Sequence, residues 1–304
     1  MKNPFTPIRS LILLLLVSLS ITTYSQELSS LVAGEATPKL VSSQFSFTEG
    51  PAVDKQGNVY FTDQPNNKIW KYSTDGKLSV FLDKAGRSNG MFFDKQGNLI
   101  TCADEKNELW SISPKGQVTV LLKDYQGHTF NGPNDLWIDP KGGIYFTDPY
   151  FQREYWERKS PDPGMNGEKL YYLAKGKKEP VLVDMEIKKP NGLIGTPDGK
   201  YLYVADMGNK AIFRYDIGAN GSLTNRQPFA EEVIDGMTID TQGNIYMAGK
   251  GVSIYNPKGE KIGQIEVPAK WTANVCFGGK NRDMLFITAS ESVFVLPMKV
   301  KGAY

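Results

Sequence analysis

Six carboxylate or amide residues recur along the chain in the same kind of neighbourhood: Glu49, Asn89, Asn134, Asn191, Asp235 and Asn274. Each stands just before an apolar, strand-like run, and the intervals between them are 40, 45, 57, 44 and 39 residues. Taken singly, an Asn or Asp before a strand is an ordinary turn residue capping backbone groups. Six at one phase are a set that a closed repeat would gather at one place. Two acids and four amides crowded together need a counter-charge, because an uncompensated buried carboxylate is costly. Such oxygen donors suit one hard divalent cation, Ca2+ foremost, with Mg2+ or Zn2+ as the alternatives. The chain has a single histidine, His128, which excludes a zinc centre built on two or three imidazoles. Any Ser-His-Asp or Cys-His mechanism would also hang on that one residue.

The elements that must position these residues are legible as a repeat. An apolar run, then D-x-x-G-N or a near variant, then a second β run reads GPAVDKQGNVYFTD at 50–63, GMFFDKQGNLITCAD at 90–104 and DLWIDPKGGIYFTD at 135–148. It returns as GLIGTPDGKYLYVAD at 192–206, GMTIDTQGNIYMAG at 236–249 and, more weakly, VCFGGKNRDMLFITA at 275–289. Third strands follow, such as KIWKYS at 68–73 and AIFRYD at 211–216, then fourth strands such as LSVFLD at 78–83. Four strands in about 45 residues is the signature of a propeller blade. The expected fold is therefore all-β: a six-bladed β-propeller with four antiparallel strands per blade. The last unit holds only three strands, and TPKLVSS at 37–43 supplies the fourth, closing the ring from the N-terminal side. The first strand of each blade lines the central channel, so the six polar residues would converge at one of its mouths.

Bulk properties narrow the function classes. Lys2 and Arg9 precede an apolar stretch at 11–21 with small and polar residues beyond it, the pattern of a secretory signal peptide over 1–25. That leaves 26–304 as a single propeller domain, exported to the periplasm or secreted. No cysteine follows the apolar stretch to carry a lipid anchor, and no membrane association is expected after cleavage. A net charge of +2 gives no ground for a nucleic-acid partner, and nothing predicts a protein partner. Cys102 and Cys276 both lie in apolar strand-like runs and read as buried free thiols, although an exported protein could pair them.

The segments EGPAVD, RSNGMFFD, NGPNDLWIDPKGGIYFTDP, KPNGLIGTPDGKYLYVAD and DGMTIDTQGNIYMAG, in that order, resemble the senescence marker protein/regucalcin–gluconolactonase family. The resemblance implies a six-bladed propeller with a divalent metal in its channel and, in most members, sugar lactonase activity; kinship with diisopropyl fluorophosphatases is more distant. It implies metal ligands at Glu49, Asn191 and Asp235, with Asn134 a further ligand or a contact to substrate. It also implies that Asn89 lines the pocket, and Asn274 matches the sixth-blade position. The chain departs from the pattern before the third-blade asparagines, where many members carry a Lys-Arg pair and this chain reads GHTFNGPND. An arginine at that place can bind sugar hydroxyls or a carboxylate, so its absence removes the usual ground for expecting gluconolactone.

The expected reaction is metal-assisted hydrolysis of a sugar or related small lactone. The cation would polarise the carbonyl, and Asp235 would act either as general base or purely as ligand. The same site could serve an organophosphate or aryl esterase, and a non-catalytic binding propeller would explain the blades but not the polar ring. Around the ring, His128 is a surface histidine or a pocket-edge hydrogen-bonding group. The insert at 148–170 reads as a loop over the channel mouth, with Tyr150, Phe151 and Trp156 as its candidate substrate contacts, and Trp271 offers a stacking face from blade six.

Overall fold

The computed structural model describes residues 28–35 and 37–304, so the expected signal peptide lies outside the described residues. Among the described residues the strands form six four-stranded antiparallel sheets, one per repeat, as expected of a six-bladed propeller. Their first strands are Thr48–Val53, Met91–Phe93, Leu136–Ile138, Pro190–Gly195, Met237–Ile239 and Thr272–Gly278. Five blades are built from consecutive strands. The sixth takes its outer strand, Lys39–Ser42, from the N-terminal side, paired antiparallel to Ser292–Pro297 with Leu40 opposite Phe294. The ring is closed by hydrogen bonds between distant parts of the chain, which removes an open sheet edge.

The recurrent D-x-x-G-N piece has a local cause. In blade 1, Asp54 Oδ1 accepts from the backbone N–H of Gln56 and Asn58, both at 2.9 Å, and Oδ2 accepts from Asn58 Nδ2 at 2.8 Å. Asp94 and Asp240 repeat all three bonds in blades 2 and 5. Gly57 takes the left-handed conformation (φ 95°) that such a turn requires. These aspartates are turn devices, and they sit at the opposite end of the first strand from the polar ring.

The second strands are buried on both faces, as in Val59–Asp63, Leu99–Ala103, Ile144–Asp148 and Ile245–Gly249. Trp137, Tyr145, Leu193, Ile194 and Leu202 belong to one apolar cluster between blades 3 and 4. Where the ring closes, Phe61 of blade 1 meets Phe286 of blade 6 at 5.4 Å and Phe45 at 5.1 Å. Cys102 and Cys276 are free and buried, in agreement with the sequence reading. Burial pushes both thiols up in pKa, which keeps them protonated and unreactive. Among the described residues no helix is long and apolar enough to cross a membrane.

Candidate functional site

All six ring residues are buried, and they meet through a contact between neighbouring blades that the sequence encodes in one small residue. Glu49, Asn89, Asn191 and Asp235 are each followed by glycine. A Cβ on Gly50 would collide with the Asn89 carbonyl, one on Gly192 with the Asp235 carbonyl, and one on Gly236 with the Asn274 side chain. Each glycine is therefore the gap into which the next blade's ring residue fits. Backbone bonds tie the same steps together: Gly90 N–H donates to Asn134 O at 2.7 Å, and Gly192 N–H donates to Asp235 O at 2.9 Å. In blades 1, 4 and 6 the ring residue lies inside the first strand, next to a break in register with the second strand, rather than before it. Such bulges re-aim side chains and are common beside active sites.

The carboxyl groups of the ring feel one another. Burial, then the charge of Asp235, raises the Glu49 carboxyl well above its usual range, while the Gly50 N–H (3.0 Å from Oε2) pulls it back. Burial pushes Asp235 up to about 6, against the opposing pull of Trp271, the Arg153 charge and Asn191. Trp271 Nε1 donates to Asp235 Oδ2 at 2.7 Å, so this tryptophan also orients the acid. Asn191 donates its Nδ2 to Met207 Sδ (3.1 Å), and its side chain lowers Asp235.

A third acid, Asp135, is one that reading the ring residues alone overlooks. It stands where four other blades have glycine, which is the signal that could have exposed it. Burial pushes its carboxyl up to about 7, with Asp235 adding to the effect and the Leu136 N–H (2.9 Å) opposing it. Asn274, on the opposite blade, lies close enough to lower it as well. Asp135 and Asn274 also face a cavity of about 780 Å3 walled by Met91, Leu136, Leu193 and Met237. Neither Glu49, Asn191 nor Asp235 lines that cavity, which opens toward the D-x-x-G turns. The acidic end of the channel therefore differs from this end, which is apolar along its walls and carries Lys55, Lys95 and Lys141 at the turns.

Other acids at the same end serve the fold. Asp63, Asp148 and Asp206 end their second strands and accept the backbone N–H groups of Ser46 (3.1 Å), Gly132 (2.9 Å) and Lys188 (3.0 Å), stapling each incoming loop to its blade. The blade 2 counterpart, Asp104, is given to the insert instead: Arg158 Nη2 lies 2.5 Å from its Oδ1 and Gln64 Nε2 donates to its Oδ2 at 3.1 Å. Tyr155 of the insert donates to Gln64 Oε1 at 3.0 Å, with Arg87 stacked over its ring at 4.7 Å. At the base of the insert, Lys189 Nζ donates to Glu168 (2.8 Å) and to the Tyr150 carbonyl (2.7 Å), two residues before Asn191. Residues 149–168 thus contact blades 1, 2 and 4 from their origin in blade 3, and so form a lid over the ring. Trp156 is buried in this lid with Arg158 stacked on it at 4.4 Å, and the Tyr150 hydroxyl bonds to Gln152. His128 is half-exposed on the outer rim, 3.2 Å from Asp162 of the lid, and is not brought to the ring.

The donor set fits a hard cation on chemical grounds: two mutually repelling buried carboxylates beside amide oxygens, with no cation of the protein bonded to either. Among the described residues no three His, Cys, Asp or Glu side chains cluster as ligands, so amides would have to complete the shell.

Comparison with known proteins gives the family of the fold. The model of the SMP-30/Gluconolactonase/LRE-like region matches residues 47–291, a span that contains all six ring residues. The gluconolactonase of Zymomonas mobilis subsp. mobilis is 30% identical over 313 aligned positions, covering 93% of this chain and 87% of that protein. The solved gluconolactonase of Xanthomonas campestris superposes with a TM-score of 0.82 at 27% identity, covering 89% of this chain and 92% of the other. A calcium-binding protein, the regucalcin of Agrobacterium tumefaciens, shares the fold at a TM-score of 0.73 and 20% identity, with 88% and 96% of the two chains covered. With its ring wholly inside the matched span and a 30% identical relative covered along most of its length, this chain belongs to the SMP-30/gluconolactonase/LRE-like family.

Proposed function

We propose that the protein is a metal-dependent lactonase that hydrolyses a sugar or related small lactone at the lid-covered mouth of the channel. One observation carries the reading: Glu49 and Asp235 are buried carboxylates whose charges oppose each other and which no protein cation directly neutralises. Glu49, Asn191 and Asp235, with Asn134 as a further oxygen donor, would hold one divalent cation, Ca2+ before Mg2+ or Zn2+. When bound, that cation supplies positive charge that polarises a lactone carbonyl and offsets the negative charge developing on its oxygen.

The chain's own residues do the rest. Trp271 and Asn191 hold the Asp235 carboxyl in one orientation and draw on its lone pairs, which lowers its basicity and favours the ligand role over the general base. Asn89 and Asn134 bring amide groups to the same mouth, where hydroxyls of a sugar ring can be bound. The lid excludes bulk water, which strengthens each of these interactions. The reading also takes 1–25 as a signal peptide and the site of action as the periplasm or the exterior.

The test is proton release from a panel of sugar and aliphatic lactones, an aryl ester and an organophosphate, with and without chelator, for the wild type and Asp235→Asn. Chelator-sensitive opening of lactones in preference to the other esters is expected. Asp235→Asn should lose metal binding by calorimetry together with at least about a hundredfold in kcat/KM. Activity that survives both chelation and the substitution would overturn the metal mechanism. Absence of turnover on every ester would leave a binding propeller.

A further inference from the structure

Three arginines reach this mouth, and two of them are committed to protein partners. Arg158 is bound to Asp104 through both its side chain and its backbone carbonyl. Arg87 is bound to Glu105 at 3.0 Å and to the Pro65 carbonyl. The third, Arg153, lies on the lid between Tyr150 and Tyr155, both of which are anchored. Among the described residues its side chain makes no hydrogen bond and no ion pair, although its Nε is buried. Its one specific contact is stacking over the Phe151 ring at 5.2 Å, and Lys189 Nζ lies over the same ring at 4.9 Å. A buried, unpartnered guanidinium nitrogen carries a desolvation cost that a ligand acceptor would relieve. Its place follows from the lid: the segment is pinned on one side of it by Lys189 Nζ to the Tyr150 carbonyl and on the other by Tyr155 to Gln64, which lays it over the ring.

We propose that Arg153 is the recognition residue of this site and selects lactones that carry an acidic group. The inference rests on the lactonase reading for the word lactone, but not for the recognition of charge. Once a divalent cation matches Glu49 and Asp235, Arg153 has no carboxylate of the protein bonded to it among the described residues. Asp135 lines the cavity on the other side of the ring, together with Asn274. A planar guanidinium with all its donors free is matched best by a carboxylate or a similar oxyanion, which it can bind in bidentate fashion. A neutral sugar lactone leaves that charge uncompensated in a partly dehydrated mouth.

Two paired measurements test this on the full-length, Ca2+-saturated protein. In the first, kcat/KM is compared for D-glucaro-1,4-lactone, which carries a carboxylate, and D-glucono-1,4-lactone, its neutral counterpart. The wild type should prefer the anionic lactone, Arg153→Gln should lower that preference about thirtyfold, mostly through KM, and Arg153→Lys should recover part of it. In the second, calorimetry compares methyl α-D-glucopyranosiduronate with methyl α-D-glucopyranoside, neither of which can be hydrolysed. Tighter binding of the uronate by the wild type and its loss in Arg153→Gln is expected. The thermal midpoint of Arg153→Gln should stay within about 2 °C of wild type, since no hydrogen bond or ion pair to the protein is lost. If the wild type shows no preference for the anion, or Arg153→Gln keeps that preference in both measurements, the proposal is overturned. If neither lactone turns over but uronate binding still depends on Arg153, the lactonase reading fails and the recognition of anions stands.

Discussion

Asp235 gathers in one side chain the requirements the site makes of its residues. It is buried, it faces another acid, and it is held by Trp271 Nε1 at 2.7 Å and by the Asn191 amide. A hydrogen bond to a charged group is worth about 1.5–3 kcal/mol, so the indole is an energetic partner of the carboxylate as well as a spacer. Trp271→Phe keeps the ring and deletes only that donor. We expect kcat/KM to fall about tenfold, with the thermal midpoint little changed because the position is only half-buried. Steady-state kinetics alongside thermal melts checks both halves. Equal loss of activity and stability would make Trp271 a packing residue instead.

Elements set the reach of these side chains through two devices, the glycine gaps and the lid. Gly236 does not need a left-handed backbone, so its place is explained by close approach alone: a Cβ there would overlap the Asn274 side chain. Gly236→Ala should cost about 1–3 kcal/mol by overpacking. It should also disturb Asn274 and, through it, Asp135, and urea unfolding with m-values held constant measures the cost. Besides the bonds of Tyr155 and Lys189, the lid is held by a buried ion pair, with Arg158 and Asp104 at 15% and 6% side-chain exposure. Arg158→Ala strands the carboxylate, a loss of about 3–5 kcal/mol for a buried pair. Because the lid is an insertion between two paired strands, the expected result is faster proteolytic nicking within 149–168 while the blades resist. Unchanged cleavage there would mean that the lid is held by its other contacts.

At the scale of the whole molecule, closing six sheets into a ring fixes the channel width and forces like charges together. A ligand that binds only the folded ring must then stabilise it. Saturating Ca2+ at a hundred times its dissociation constant should add about 2.7 kcal/mol to unfolding, raising the midpoint by several degrees. Chelator should reverse the gain, and Asp235→Asn should abolish it. Differential scanning calorimetry at several Ca2+ concentrations measures this, and a midpoint independent of Ca2+, Mg2+ and Zn2+ would remove the metal from the ring.

By itself the amino-acid sequence determined the blade count, the strand order within a blade and the phase of the six polar residues. Each of these is a local or periodic property: D-x-x-G-N turns are built from bonds two and four residues apart, and strands from alternation. Even the closing strand at 39–42 was legible, because a blade missing one strand advertises the vacancy. What only the tertiary structure decided depends on neighbours far apart in sequence. Asp135 reads as an ordinary turn acid until Asn274 and Asp235 are seen beside it, 139 and 100 residues on. Trp271 became a donor to Asp235, His128 turned outward to the lid, and Arg153 came over the acids from a segment with no repeat to betray it. Periodicity speaks for residues that every blade must have. The lid and the specific partners of each acid belong to one blade only, and their placement is fixed by packing across the ring.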